Sequence, residues 1–395
     1  ELVAVAVGLV NDNQVLLVSL AGAETYVDPA ADRGITIIPA GNNTVAEGIS
    51  PTTGRSLADV PYVENALGLS VTGRYMPMLV QIDNTGGGVN TTLSGMRAPW
   101  GLQYSDVIYE APLYKSGDTR LTALFSDVIP DSVGPIRSAR VFHAWLREEW
   151  DCGFVYYGQQ EYEQTNVKEQ FRLTGASSKG VLFNGIVGEN KVEKTYFYDR
   201  TDAASIAKSL SSATVFPLKD PDNMGANVAM LSTLIPEGFV AANHTWKFAD
   251  SLPTEGDDAT TIHVTWGSSL SEYNSDIEWD AKDQCYYRWL LIDPQGNEYV
   301  DFDTGTPLTF NNVIVQFTEI EYPDSVFAPK PTVLGTGNAD YFMGGKHIAG
   351  VWNREELSSR TVFYGPDGNE ISLQPGRTLI IVMDYATTYR GISYE

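Results

Sequence analysis

The sequence predicts an α+β protein, with an N-terminal mixed α/β domain followed by a mostly β C-terminal domain. Three observations carry that reading. Between about residues 50 and 240, strand-like apolar runs alternate with amphipathic, helix-like runs. After about 241 nearly every apolar run is short, rich in β-branched and aromatic residues, and bounded by turn chemistry. A chain of 395 residues with 43% hydrophobic side chains is also long enough for two cores. The expected division is a strand-prone appendage over 1–48, the mixed domain over 49–240 and the β domain over 241–395.

The opening runs LVAVAVGLV and QVLLVSLAG flank Asn11-Asp12-Asn13. Each has strand length, and a membrane span needs about 18 uninterrupted apolar residues, so a hairpin is expected here. The first residue is Glu and not Met, so any leader or lipid anchor is expected outside this sequence. After the turn-rich Ser50-Pro51-Thr52-Thr53-Gly54, the run MLVQI reads as a buried strand that ends in Asp83-Asn84. Polar residues at the carboxyl end of such a strand are ligand groups in many α/β folds, and ordinary turn formers in others.

Charge is concentrated in an apolar setting between Tyr104 and Arg147. Two β-type runs, VIYEAPLY and TRLTALFSDV, are joined by Lys115-Ser116-Gly117-Asp118. With 115–118 as the loop, Glu110 and Arg120 fall on opposite faces of the hairpin. Pro is favoured at a first helical position, so a helix is expected to open at Pro135 and carry Arg137 and Arg140 on one face. Cations at a helix start oppose its dipole, and burying charge among Val, Ile and Leu is costly unless it is paired. The arginines therefore call for an anion. It is either an internal carboxylate from Asp106, Glu110 or Asp127, or an anionic small ligand or envelope component. The candidate ligand-binding set is Asp83, Asn84, Asp106, Glu110, Arg120, Arg137 and Arg140. A second reading makes Glu110 and Asp106 the carboxylates of a hydrolase acting on glycan or peptide.

Further along, CGFVYYG reads as a strand and 159–173 as helical. Asp199 or Thr201 is a candidate N-cap for a helix containing AASIAKSL. The β part then shows TIHVTWG, DIEWD, CYYRWLLID, NVIVQFTEI, IAGVWN, TVFYG and RTLIIVMD, broken by turns such as 293–297 and 365–369.

Other chemistries are excluded by what is missing. The chain has 26 basic against 50 acidic residues, a net charge of −24, and no cluster of Lys and Arg to meet phosphates, so no nucleic-acid partner is expected. No polybasic stretch suits an anionic membrane surface, so none is expected as a partner. Cys152 and Cys285 read as two unrelated buried thiols. His143, His244, His263 and His347 are dispersed without ligand spacing, so neither a metal nor a cofactor is expected. Ser205 and Lys208 match S-x-x-K, but its companion motifs are absent. Gly335-Thr336-Gly337 lacks the third glycine of a dinucleotide loop.

Several of these stretches together resemble the YerB family of bacterial proteins regarded as lipoproteins. The matching residues are Met76-Pro77 through Asp83-Asn84, Pro99-Trp100-Gly101-Leu102, Ser105 to Glu110, Thr119-Arg120 and Val133 to Arg140. In the second half they are CYYRWLLIDPQGNEYVDFDTGTPLTFNNVIVQ, LGTGNADYFMGGKHIAGVW and TVFYGPDGNEISLQPGRT. The resemblance covers about 50 to 395. It implies an extracytoplasmic, bacterial cell-envelope protein, membrane-anchored or secreted, with a two-part fold and no established biochemical activity. The chain departs from the family pattern at two places. Tyr156-Tyr157-Gly158-Gln159-Gln160 stands where H-x-G-G-S is expected, and no histidine follows Tyr196-Phe197-Tyr198-Asp199. Any histidine-dependent site of the relatives is expected to be lost here.

Overall fold

The computed structural model describes residues 7–10, 14–17, 24–84, 99–115, 117–193, 196–198, 216–218, 224–267, 271, 273–290, 297–301, 303–323, 329–385 and 390–395. The structure is largely β, with 38% strand and 13% helix. An eleven-stranded sheet forms its centre. In chain order its main strands are β1 (Met78–Ile82), β2 (Val107–Pro112), β3 (Thr119–Phe125), β4 (Gly153–Tyr156) and β5 (Leu182–Asn184). Between β3 and β4 lies helix α1 (Val141–Trp150), and between β4 and β5 lies α2 (Val167–Leu173).

A second, seven-stranded sheet has as its main strands β6 (Thr261–Thr265), β7 (Ser275–Asp280) and β8 (Cys285–Leu290). The chain then returns to the central sheet for β9 (Asn312–Thr318), β10 (Gly335–Met343), β11 (Lys346–Arg354) and β12 (Thr378–Asp384). It ends on β13 (Gly391–Tyr394), paired with β6 in the second sheet.

The order across the centre is β11-β10-β9-β12-β2-β3-β1-β4-β5. Here the expected division at about 240 fails. The late strand β12 runs parallel to β2 from Thr378↔Val107 to Ile381↔Glu110, so strands from both sides of 240 share one hydrogen-bond ladder. Both cores are shared too. One packs Val80, Ile108, Leu121 and Leu379 against Ile262, Ile277 and Tyr286 of the second sheet. The other packs Leu79, Tyr109, Ile380 and Val382 against Phe142, Leu146 and Trp150 of α1. The central sheet is thus covered by helices on one face and by a sheet on the other. That is why β1, β2, β3, β9 and β12 are buried at every position and read as continuous apolar runs. Composition changes at about 240 because strands predominate afterwards, and the change marks no boundary between cores.

Helix α1 also starts later than expected. The backbone of 133–137 is engaged elsewhere: Asp83 N donates to Pro135 O (2.9 Å), Arg137 N to Gln81 O (3.0 Å) and Ile136 N to Met224 O (2.8 Å). This lead-in crosses the end of β1 as extended chain, and Arg140 becomes the N-cap of α1. A Cβ at Gly134 would sit 2.3 Å from the buried Trp100 ring, so glycine permits the close crossing. Only Val167–Leu173 of the expected 159–173 helix is helical, N-capped by Asn166, whose Oδ1 accepts from Glu169 N at 2.9 Å. The opening strands Val7–Val10 and Gln14–Leu17 pair antiparallel. The S-x-x-K match, the helix anticipated after Asp199 or Thr201 and the turn at 293–296 lie outside the described residues.

Candidate functional site

Strands β1, β2, β4, β5, β9 and β12 point the same way, because β2, β12 and β9 are mutually parallel, as are β1, β4 and β5, and β3 runs antiparallel to both β1 and β2. Their carboxyl ends are where open α/β sheets collect ligand groups. Asp83 and Asn84 lie at the end of β1 and project to opposite faces, as strand geometry requires. The candidate residues therefore divide into three groups.

On the helix-covered face stand Asp83, Arg120, Arg137 and Arg140. Arg137 Nε donates to Asp83 Oδ2 at 2.6 Å, with the carboxylate fully buried and the guanidinium 29% exposed. Arg120 comes from β3 and Arg140 from the cap of α1, and they converge on one residue, Ser138. Arg120 Nη1 donates to Ser138 O (2.8 Å) and Oγ (3.2 Å). Arg140 Nη1 donates to Ser138 Oγ (2.9 Å) and Ala139 O (3.1 Å). Both arginines are buried, at 5% and 7% exposure, and neither has a carboxylate partner among the described residues. The Nε of each is enclosed without a hydrogen-bond partner.

Burial lowers the Arg120 pKa against the opposing charge of Asp83. Burial, and then the charge of Arg120, push Arg140 down to about 9. His143, in the first turn of α1, accepts the Arg140 N–H at its Nδ1 (2.9 Å). Burial and the two arginines hold its pKa well below the usual value, so it adds no charge at neutral pH. A local excess of positive charge is therefore buried inside a strongly acidic protein.

On the other face Asn84 and Glu110 join a polar chain between the sheets. Asn84 Nδ2 donates to Thr119 Oγ1 (2.9 Å), Thr119 Oγ1 donates to Glu110 Oε1 (2.7 Å), and Tyr299 OH donates to Asn84 Oδ1 (3.1 Å). Arg288 Nη2 lies 2.7 Å from Glu110 Oε2. Glu110 and Arg120 do occupy opposite faces, although the loop is 113–118, with Pro112 opposite Thr119.

Asp106 stands apart, at the amino end of β2. Its Oδ2 accepts from Ser126 N (2.7 Å), Asp127 N (3.1 Å) and Thr52 Oγ1 (3.0 Å). Asp127 accepts from Ser50 Oγ (2.6 Å) and Thr53 Oγ1 (2.8 Å), so the turn at 50–54 is fastened to the sheet by these two carboxyls. Neither Asp106, Glu110 nor Asp127 answers the arginines, contrary to the internal alternative. The hydrolase reading also loses its geometry. Asp106 and Glu110 are four strand residues apart, roughly 13 Å, and each is enclosed in a separate network. A glycosidase pair needs about 5–10 Å and an open space between its members.

Ser138 was not singled out from the sequence, and neither was the lead-in it belongs to. The signal was present in I-R-S-A-R: read as extended chain, alternation puts Ser138 and Arg140 on one side and Arg137 on the other. The segment 156–160, where the chain departs from the family pattern, lies along this lead-in, with Tyr157 N donating to Arg137 O (3.0 Å) and Gln160 N to Ala139 O (3.3 Å). Cys152 and Cys285 are both buried free thiols. Among the described residues, no three His, Cys, Asp or Glu are placed to hold a metal, and no helix is long and apolar enough to cross a membrane.

Comparison with known proteins gives consistent matches. Residues 67–212 match the family model described as "Protein of unknown function (DUF3048) N-terminal domain", and residues 262–380 match that of the C-terminal domain. The Bacillus subtilis protein named "Putative lipoprotein YerB" is 23% identical over 299 residues, which are 74% of this chain and 79% of that protein. The crystal structure of YerB from Bacillus subtilis aligns with a TM-score of 0.58 at 19% identity, covering 85% of this chain and 96% of the other. At that identity the likeness concerns the fold.

Proposed function

The chain belongs to the DUF3048 family, its two matched segments being that family's N- and C-terminal domains, and from this premise we propose that it is an extracytoplasmic envelope protein that binds an anionic ligand at Arg120 and Arg140. The lipoprotein name of the Bacillus subtilis relative supports the location. The binding reading rests on one observation, the two buried guanidiniums that form no ion pair with a carboxylate among the described residues.

Other buried arginines of the chain are answered differently. Arg147 pairs with Glu148 and Asp151, Arg354 with Glu149, Arg360 with Glu370, and Arg390 with Asp384. Arg377 has no carboxylate partner among the described residues, but its Nε, Nη1 and Nη2 each donate to a backbone carbonyl, those of Ser105, Thr309 and Gln103. Arg120 and Arg140 use only Nη1. Uncompensated buried charge costs several kcal/mol, and an anion from outside removes that cost. The head of α1 lies at the same place, and its first-turn N–H groups and dipole favour the same charge.

Calorimetric titration with sulfate and with phosphate tests this. Wild type should bind with a measurable enthalpy, and Arg120→Ala and Arg140→Ala should not. A wild-type titration indistinguishable from buffer sinks the proposal.

A further inference from the structure

We propose that the surface running from Asn338 to Glu370 is a binding site for an extended, arginine-bearing peptide segment, filled here by the chain's own residues 27–43. It shares no residue with the site of Arg120 and Arg140.

Residues 24–49 lie against the body without entering it. None of them is buried, and the first buried position is Ser50. Apart from the short pairing of Thr25 and Tyr26 with β13, they form neither strand nor helix. From Val27 to Ile37 exposure alternates strictly, odd-numbered positions being partly buried and even-numbered ones exposed. That is the period of an extended chain laid flat with one side down. The two family segments, 67–212 and 262–380, exclude this stretch, while most of its partners lie in the second. The segment thus sits on the family fold as a ligand sits on a surface.

The body reads the backbone of the segment. Asn338 Nδ2 donates to Pro29 O (3.0 Å) and Ala31 O (2.8 Å). Further on, Ile38 N donates to Gly368 O (2.8 Å) and Arg360 Nη2 to Gly41 O (3.0 Å). A Cβ at Gly368 would sit 2.1 Å from Thr36 O, so glycine admits the segment there. On the outward side, Asp28 and Asp32 accept from the N–H groups of Ala30 and Gly34 (2.9 Å each). The segment therefore satisfies part of its own backbone without a sheet ladder.

One side chain anchors it. Arg33 Nη1 donates to Ala339 O (2.6 Å) and Gly350 O (2.7 Å), and its Nη2 to Asp340 Oδ2 (2.6 Å). Asp340 is fully buried, with His347 Nε2 on its other oxygen. A fixed carboxylate beside two carbonyls suits the planar fork of a guanidinium better than an ammonium. Gly34 follows at φ +60°, a conformation that favours glycine. The socket thus calls for Arg-Gly preceded by free carbonyls two and four residues before the arginine.

The test severs the link and keeps the full chain present. A site-specific protease sequence placed at 44–48, where every position but Val45 is exposed, lets the folded protein be cut. Fluorescence anisotropy of a labelled peptide of residues 24–47 then reports binding. The cut protein should bind it at least ~10-fold more tightly than the uncut one, whose tethered segment competes at an effective concentration on the order of millimolar. A peptide carrying Arg33→Ala should bind at least ~10-fold more weakly, and Arg33→Lys should behave more like Arg33→Ala than like the unchanged peptide. These substitutions sit in the peptide, so neither can unfold the protein. Unfolding on cleavage, equal affinity of the cut and uncut forms, binding to neither, or no loss with Arg33→Ala would each overturn the proposal and make 27–43 an ordinary part of the fold.

Discussion

Glu110 and Arg288 meet 2.7 Å apart between the two sheets, with side-chain exposures of 0% and 2%. One comes from a central strand of the first half and the other from the second sheet. Their contact, with Thr119 and Ser275 at either end, ties the layers together where the apolar packing gives way to polar groups.

A buried pair of this kind is costly to break and cheaper to replace. Glu110→Gln or Arg288→Met should each lower stability by roughly 3–5 kcal/mol, because each leaves a charge buried without its partner. The double substitution should cost clearly less than the sum of the two. Denaturant melts of the four proteins check this, and strict additivity would show that the two side chains are not coupled.

The Asp106–Asp127 network predicts a pH dependence. Burial, and then the charge of Asp127, raise Asp106 to about 8 against the hydrogen bonds from Ser126 and Asp127, and burial also raises Asp127. The folded form therefore holds a proton that the unfolded chain releases near pH 4. A raised folded pKa means stability is fullest below about pH 4 on this account and falls as pH climbs to about 8. For one proton the slope is at most about 1.4 kcal/mol per pH unit. Asp106→Asn imitates the protonated carboxyl, so its melting temperature should vary less than that of wild type between pH 5 and 8. Parallel curves would refute the account of a proton held on Asp106.

Arg137 and Arg140 should behave in opposite ways without ligand. Arg137→Ala takes a charge-assisted hydrogen bond from the buried Asp83 carboxylate and should cost roughly 1–3 kcal/mol. Arg140→Ala removes a guanidinium with no carboxylate partner among the described residues, and should be near neutral or stabilising in anion-free buffer. Paired thermal melts after exhaustive dialysis measure both, and equal losses would mean that Arg140 has a partner after all.

The shared sheet predicts how the chain comes apart. Strand β12 lies between β9 and β2, so a fragment ending near 260 lacks the neighbour that covers β2. Cleavage within 250–260 should yield pieces that stay together until denatured, and neither half expressed alone should melt cooperatively. A fragment 1–260 with a sharp melt would restore the division into independent cores.

Much of the strand pattern was legible because it is local. The runs MLVQI, VIYEAP, TRLTALF, NVIVQFT and TLIIVMD combine β-branched residues, near-continuous apolarity and flanking turns. The family likeness was legible for the same reason, being carried by motifs in order. The helix at 135 was misplaced because Pro135 has two uses, a helix start and an edge of extended chain, and only the partners of its neighbours distinguish them. Those partners, Gln81, Asp83 and Met224, are remote in sequence.

The sequence alone determined that buried charge must gather near 104–147, since its arginines and carboxylates are embedded among residues that shun water. It also determined the opposition of Glu110 and Arg120, because strand alternation is a local rule. Which charges meet was decided only by the tertiary structure. Asp83 reaches Arg137 across the lead-in, Arg288 arrives from the second sheet for Glu110, and Ser50 and Thr53 close over Asp127. Each pairing spans dozens of residues or more and depends on which strands are neighbours. That is fixed by the burial of both faces of the central sheet, so the same packing that pairs Arg137 with Asp83 and Arg288 with Glu110 brings Arg120 and Arg140 together on Ser138.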